Sequence, residues 1–226
     1  MPKVNRISTG NTNLDKLMEG GFEEGSINLI EGGPGTGKTI LAVNFLLEGA
    51  KKNEPGIYVT FEENVNQLKK HIESFDIDLK KFENKFTILS QTPEQLKNLI
   101  ENGSGTLDSL ITKTKAKRLV IDTITPFILM EKDKLSMLES CSSLFGMIRE
   151  WNCTALLTAD QDAKEDSKNE HISNILEYEV DSIILLHSRE INNTRKRFLE
   201  IIKIRGSKHP DKLFPIQINE KGLIFI

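Results

Sequence analysis

The stretch INLIEGGPGTGKT (Ile27–Thr39) decides the fold. Its first part, Ile27–Ile30, is a short apolar run of strand length, approached through Gly20-Gly21 and Gly25. Its second part, Gly32 to Thr39, is a complete G-x-x-x-x-G-K-[ST]. From Lys38 to about Lys52, Leu41, Ala42, Phe45, Leu46, Gly49 and Ala50 recur at helical spacing. A strand, a glycine-rich loop and a helix in that order are the context that a phosphate-binding loop requires. The glycines let the backbone curl, so that successive N–H groups converge on phosphate oxygens at a helix N-terminus. Gly33, Pro34, Gly35, Thr36 and Gly37 form the cradle and Ile40 follows it into the helix. Lys38 is placed to reach the β- and γ-phosphates, and the Thr39 hydroxyl to ligate Mg²⁺.

Outward from this loop, apolar strands alternate with helical segments. Pro55-Gly56 stops the first helix, and Ile57–Phe61 reads as a second strand. Asn64 is placed to cap a helix whose buried face is Val65, Leu68, Ile72 and Phe75. Phe86–Leu89 is a further strand, and Pro93 opens a helical region (93–116) interrupted by Gly103 and Gly105. Arg118–Asp122 is an apolar run ending in an acid, 134–151 a long amphipathic helix, and Cys153–Thr158 the next strand. Asp160–Asn174 reads as an exposed polar loop. Val180–His187, Phe198–Arg205, Pro215–Ile218 and Leu223–Ile226 complete the strands, the last of them without intervening helices. This order predicts an α/β fold: a mainly parallel sheet covered by helices on both faces, with antiparallel C-terminal strands. A length of 226 residues without repeat or low-complexity linker predicts one domain over 1–226.

Composition narrows the function classes. A hydrophobic fraction of 38% with 28% charged residues argues against disorder. The formal charge of −3 gives no whole-chain reason to expect a nucleic-acid or membrane partner. Cys141 and Cys153 are too few for a disulfide framework and have no metal-ligand spacing, which suits a reducing cytoplasm. The start MPKVNRISTGNTNL lacks the apolar core of a signal peptide, and no apolar stretch approaches the ~20 residues that span a bilayer.

Several acids and bases are candidates for chemistry. Asp122 ends an apolar strand and is the natural second oxygen ligand for the magnesium ion; the alternative is a helix cap or a solvated strand end. Thr123 stands where many phosphate-loop ATPases carry a glutamate, so another carboxylate has to align the attacking water. Glu62 and Glu63 close the strand Ile57–Phe61, in the layer beyond the strand carboxyl ends where open α/β sheets hold their crevice. The competing reading makes them first-turn acids that favour a helix dipole. In Lys203-Ile-Arg205-Gly-Ser-Lys208-His209, period-2 alternation puts Lys203 and Arg205 on one strand face, opposite Ile202 and Ile204, before a turn at Gly206-Ser207. Two such cations clamp a phosphate, on their own site or a neighbour's, or form a solvated basic edge.

Together, RISTGNTNLDKLMEGG (6–21), GGPGTGKT, TFEE (60–63), LVIDTIT (119–125) and KIRGSKH (203–209) resemble the KaiC-like ATPases of the RecA superfamily over nearly the whole chain. The resemblance implies a RecA-type core that uses ATP and Mg²⁺, with ATP held between subunits of a homo-oligomer, commonly a hexamer. It implies that Glu62 and Glu63 activate water, and that Lys203, Arg205 and His209 reach the γ-phosphate bound by an adjacent subunit. Gln161, in Thr158-Ala-Asp-Gln161, stands near the place where RecA relatives carry a γ-phosphate sensor. His171-Ile-Ser173 resembles the segment that carries a phosphorylated Ser/Thr pair in the second clock domain, but Asn174 breaks the pair. The expectation is a self-assembling, Mg-dependent ATPase acting as a regulatory switch with a protein partner. One rival is a DNA-binding recombination accessory ATPase resembling RadB, against which stand the acidic balance and the lack of a helix-turn-helix or zinc module. The other is a nucleotide-sensing scaffold with little hydrolysis. From Arg189 to Lys212 there are eight Lys/Arg against three Asp/Glu, a basic edge that under the assembly reading faces a neighbour's triphosphate.

Overall fold

Strands that are apolar throughout need cover on both faces, and a sheet of such strands sends alternate residues to opposite layers. The computed structural model describes residues 4–75, 77–82, 84–161, 172–219 and 222–226. The chain begins β1 (Arg6–Ile7), α1 (Thr12–Leu17), β2 (Phe22–Glu23), β3 (Ile27–Gly32), α2 (Lys38–Lys51), β4 (Gly56–Thr60) and α3 (Val65–Glu73). A 3-10 turn (Leu79–Phe82) leads to β5 (Phe86–Ser90), α4 (Pro93–Asn102), α5 (Thr106–Thr114), β6 (Arg118–Asp122), α6 (Thr125–Leu129) and α7 (Lys134–Glu150). Then follow β7 (Thr154–Asp160), α8 (Ile172–Leu176), β8 (Ser182–Ile191), β9 (Thr194–Ile204), β10 (Phe214–Asn219) and β11 (Gly222–Phe225).

Nine strands form one sheet in the order β11-β10-β9-β8-β3-β7-β6-β4-β5, and β1 and β2 pair as a separate ribbon. From β8 to β5 every pairing is parallel, whereas β8–β9, β9–β10 and β10–β11 are antiparallel, as the sequence predicts. Ile27, Leu29, Ile57, Val59, Leu119 and Ile121 face one core, shared with Leu96, Leu107, Leu144 and Phe145 of α4, α5 and α7. Ile30, Tyr58, Val120 and Leu156 face the other, with Leu41, Phe45 and Leu46 of α2 and Leu68 and Ile72 of α3. The Asn64 side chain accepts from the Gln67 N–H at 3.0 Å, so the expected cap forms. Gly103 and Gly105 do divide the 93–116 region, between α4 and α5. Among the described residues no helix is long and apolar enough to cross a membrane.

The structure departs from the sequence reading at three places. The stretch expected to be an exposed loop to Asn174 ends in α8, where Ile172, Ser173 and Leu176 are buried; His171 lies outside the described residues. There, Ile172 and Leu176 turn their apolar side chains into the helical layer. The strict alternation around Lys203 fails because the β8–β9 register shifts between Ile183 and Ile184, leaving Ile202 without a partner and 43% exposed while Ile204 stays buried. The same hairpin runs further than expected, turning at Asn192-Asn193 with φ of 52° and 57°, values that asparagine tolerates.

Two contacts bind the N-terminal segment to the sheet. Asn11 caps α1 with its Oδ1 and donates from Nδ2 to the Leu223 carbonyl at 2.7 Å. Arg118, 1% exposed, donates from Nη1 to the carbonyls of Ser8 (2.8 Å) and Phe45 (2.7 Å) and from Nε to Glu54 (2.8 Å). Its guanidinium lies 4.7 Å from the Phe45 ring centroid. Removing one partner of a buried, hydrogen-bonded ion pair leaves polar groups uncompensated. Arg118→Ala is expected to lower the free energy of unfolding by about 3 kcal/mol in urea titrations.

Candidate functional site

Four neighbouring strands bring the site together at their carboxyl ends. β3 runs into the phosphate loop, β7 ends in Asp160, β6 in Asp122, and β4 leads into Glu62 and Glu63. In register, Gly32 pairs with Asp160, and Thr60 with Asp122. The acids therefore lie in one layer with the loop, as parallel strands of matched length require.

Gly35 and Gly37 take left-handed φ values of 69° and 110°, which open the loop into a cradle. A Cβ on Gly35 would meet nothing within 4 Å, and one on Gly33 only the Gln161 carbonyl at 3.9 Å. That open concavity fits phosphate oxygens. The Thr36 hydroxyl donates to the Gly33 carbonyl at 2.8 Å and fixes the curl. Lys38 Nζ donates to the carbonyls of Gly32 (2.8 Å) and Gly33 (3.2 Å) and pairs with Asp160 Oδ1 at 3.0 Å.

The Asp122 carboxylate accepts hydrogen bonds from Thr39 Oγ1 (2.9 Å), the Tyr58 hydroxyl and the Thr158 hydroxyl. Burial, reinforced by the charge of Asp122, pushes the Tyr58 phenol well above its ordinary value and keeps it a donor. Thr39 and Asp122 together present hard oxygen donors, the set that suits Mg²⁺ completed by phosphates and water. Among the described residues no group of three or more His, Cys, Asp or Glu is placed to hold a metal ion.

Glu62 and Glu63 both line a cavity of about 400 Å³ with Lys38, Thr39, Asp122 and Asp160. Burial raises the Glu62 carboxyl above its usual range, the charges of Asp160 and Asp122 add to the rise, and Lys38 opposes it. Glu63 Oε2 is buried with no hydrogen-bond partner, while Oε1 lies 3.8 Å from His71 Nδ1. Glu62, exposed on the cavity wall, is the acid of the pair open to water. Thr123 is turned elsewhere, its hydroxyl donating to the Thr158 carbonyl at 3.0 Å.

On the other side of the loop a cavity of about 620 Å³ is walled by Val43, Leu47, Ile72, Phe75 and Ile77, and Gly35 to Ile40 form its border with the loop. Its rim carries Glu48, Lys51 and His71. An apolar slot beside a phosphate cradle has the character of a nucleobase pocket.

Of the remaining sequence candidates, Lys203 and Arg205 lie apart from the loop. Lys203 pairs in register with Ile183, and Ile183 with Leu29, toward the start of β3. Its Nζ donates to the Glu177 and Val180 carbonyls. Arg205 bonds Asp181 Oδ1 (2.9 Å) and the Tyr178 carbonyl (3.0 Å). Desolvation, followed by the neighbouring Arg205 charge, lowers the Lys203 pKa. Four residues of parallel strand, about 13 Å, separate Asn28 from the Gly32 end, so these cations face away from their own loop. His209 lines neither cavity. Gln161 approaches the loop through its backbone, whose N–H donates to the Gly32 carbonyl at 3.2 Å; the side chain beside Lys38 is that of Asp160. Ser173 is 7% exposed and its N–H donates to Glu31, a poor position for a phosphoryl group. Cys141 and Cys153 are buried, their thiols pushed up to about 12 and about 11, and are unreactive packing residues.

Sequence reasoning missed Tyr58, Thr158, Asp160 and Arg197. Asp160 and Thr158 stand one and three residues before Gln161, in the same strand end. Tyr58 sits among strand hydrophobics, where a buried phenol demands a partner. Arg197, whose Nε donates to the Gly35 carbonyl at 2.9 Å, has no local signal.

A family model described as "ATPase: KaiC" matches residues 7–226. A UPF0273 protein of Thermotoga maritima is 32% identical over 240 residues, covering 98% of this chain and 96% of that protein. The circadian clock protein KaiC3 of Synechocystis is 30% identical over 233 residues, but this chain spans only 46% of its length. The crystal structure of a KaiC-like protein from Pyrococcus horikoshii superposes with a TM-score of 0.84 at 31% identity, covering 99% of this chain and 100% of that one. For the site itself, Tyr58→Phe is expected to keep the fold but cost roughly 1.5–3 kcal/mol in thermal or urea unfolding, the scale of a buried hydrogen bond to a charged group.

Proposed function

Because the chain belongs to the KaiC ATPase family, we propose that it hydrolyses ATP with Mg²⁺ at the Gly32–Thr39 loop, in an assembly where a neighbour completes each site. The observation that carries this reading is the convergence of Lys38, Thr39, Asp122, Glu62 and Glu63 on one cavity beside the loop. The loop N–H groups and Lys38 hold the phosphates, and the apolar cavity beyond Ile40 takes the base. Thr39 and Asp122 would hold the magnesium ion, which when bound offsets charge on the β- and γ-phosphates. Glu62 and Glu63 align the attacking water and accept its proton.

Among the described residues the cations at the loop are Lys38 and Arg197, the latter engaged with the Gly35 carbonyl, and charge build-up in phosphoryl transfer calls for further stabilisation. Lys203 and Arg205 lie at the opposite end of the sheet, which supports their action on the site of an adjacent copy, and the family resemblance adds His209 to them. A rate that depends on assembly suits a regulatory switch better than a metabolic enzyme. The chain is read as one ATPase unit, expected in the cytoplasm, with a protein partner chosen by its surface.

Three outcomes test this reading. Glu62→Gln with Glu63→Gln is expected to abolish phosphate release while leaving nucleotide binding intact, whereas Lys38→Ala weakens binding itself. Arg205→Ala is expected to be slow alone, yet mixing it with the double glutamine variant restores activity at about a quarter of the head-to-tail interfaces; no recovery would remove the role in trans. Glu62 works as a base when ionised, and its raised pKa means that turnover falls on acidification at a higher pH than for an ordinary carboxylate. A pH–rate profile should show that limb, and Asp122 and Asp160 both contribute to its position.

A further inference from the structure

A lysine ammonium has three N–H donors, and in this structure all three of Lys38 are engaged, by Gly32 O, Gly33 O and Asp160 Oδ1. A phosphate that is to be gripped by Lys38 has to take one of them. The two carbonyls are fixed: Gly32 is a sheet residue paired on both sides, and the Gly33 carbonyl also holds the Thr36 hydroxyl. Asp160 differs, because its backbone is pinned, the N–H donating to Thr125 Oγ1 at 2.8 Å, while its side chain is 41% exposed and has room to swing. Once displaced, that carboxylate still borders the cavity beside Glu62 and Asp122, where it meets the incoming phosphates as a like charge.

We propose that Asp160 is a positioning residue that holds Lys38 before nucleotide binds and competes with phosphate for it, setting how tightly the subunit takes nucleotide. This rests on the phosphate-loop reading above. Its consequence is a site of deliberately moderate affinity, in which the acid that parks the lysine also lowers the retention of both ATP and ADP.

The experiment is a titration of wild-type protein, Asp160→Asn, Asp160→Ser and Asp160→Glu with fluorescent ADP and with a fluorescent, non-hydrolysable ATP analogue, each with Mg²⁺. Asparagine keeps the size of the side chain but lacks the charge, so Asp160→Asn is expected to bind both nucleotides about three- to tenfold more tightly. Asp160→Glu should return the affinity to within about twofold of wild type, and added salt should shrink the gain. A purely structural role would weaken binding in every variant, with no rescue by glutamate. Unchanged or weaker binding in Asp160→Asn overturns the proposal, and Asp160→Ser supplies the same comparison if the asparagine variant is unstable by circular dichroism. Failure of the wild-type protein itself to bind nucleotide would overturn the phosphate-loop reading and the proposal together.

Discussion

The Asp122 carboxylate is the point at which fold and chemistry share one constraint. It ends β6 and accepts from hydroxyls on three other elements: Thr39 on α2, Tyr58 on β4 and Thr158 on β7. A carboxylate this enclosed is tolerated only if its lone pairs are met, and charge-assisted hydrogen bonds meet them. The geometry in turn fixes the register of β4 and β7 against β6 and the docking of α2 over the sheet. The helix that carries the phosphate loop is thus held by the acid that would share its metal ion. Loss of one hydroxyl loosens both at once.

Charge is distributed unevenly around that constraint. Among the described residues the cavity wall carries Glu62, Glu63 and Asp160 besides Asp122, with Lys38 as the cation. Arg197 reaches the loop from β9 but is engaged with the Gly35 carbonyl. Lys203 and Arg205 are tied to the connection between α8 and β8 at the far end of the same strands. Within the basic edge read from the sequence, Arg197 and the Lys203–Arg205 pair lie toward opposite ends of the strands.

The parallel core was legible because its signals are local. The apolar runs around Leu29, Val59 and Ile121, the glycines before Lys38, and the Asn64 cap each dictate structure within a few residues. The acids were legible for a related reason, since residues following parallel strands share a layer by topology alone. Less legible were features that depend on register. Ile202 leaves the alternation because of a shift visible only when β8 and β9 are paired. Choosing Asp160 over Gln161 as the partner of Lys38 needs the pairing of Gly32 with Asp160. Arg118 reads as the first residue of an apolar strand, and nothing nearby says that its guanidinium binds Ser8, Phe45 and Glu54.

The hydrogen bond from Asn11 to Leu223 has a reach beyond local stability. It ties the cap of α1 to β11 across 212 positions of sequence, so an early helix and the last strand hold one another in place. A bond of such long range fastens the sheet's antiparallel edge to the segment that precedes the parallel core, and neither element has that partner until both are folded.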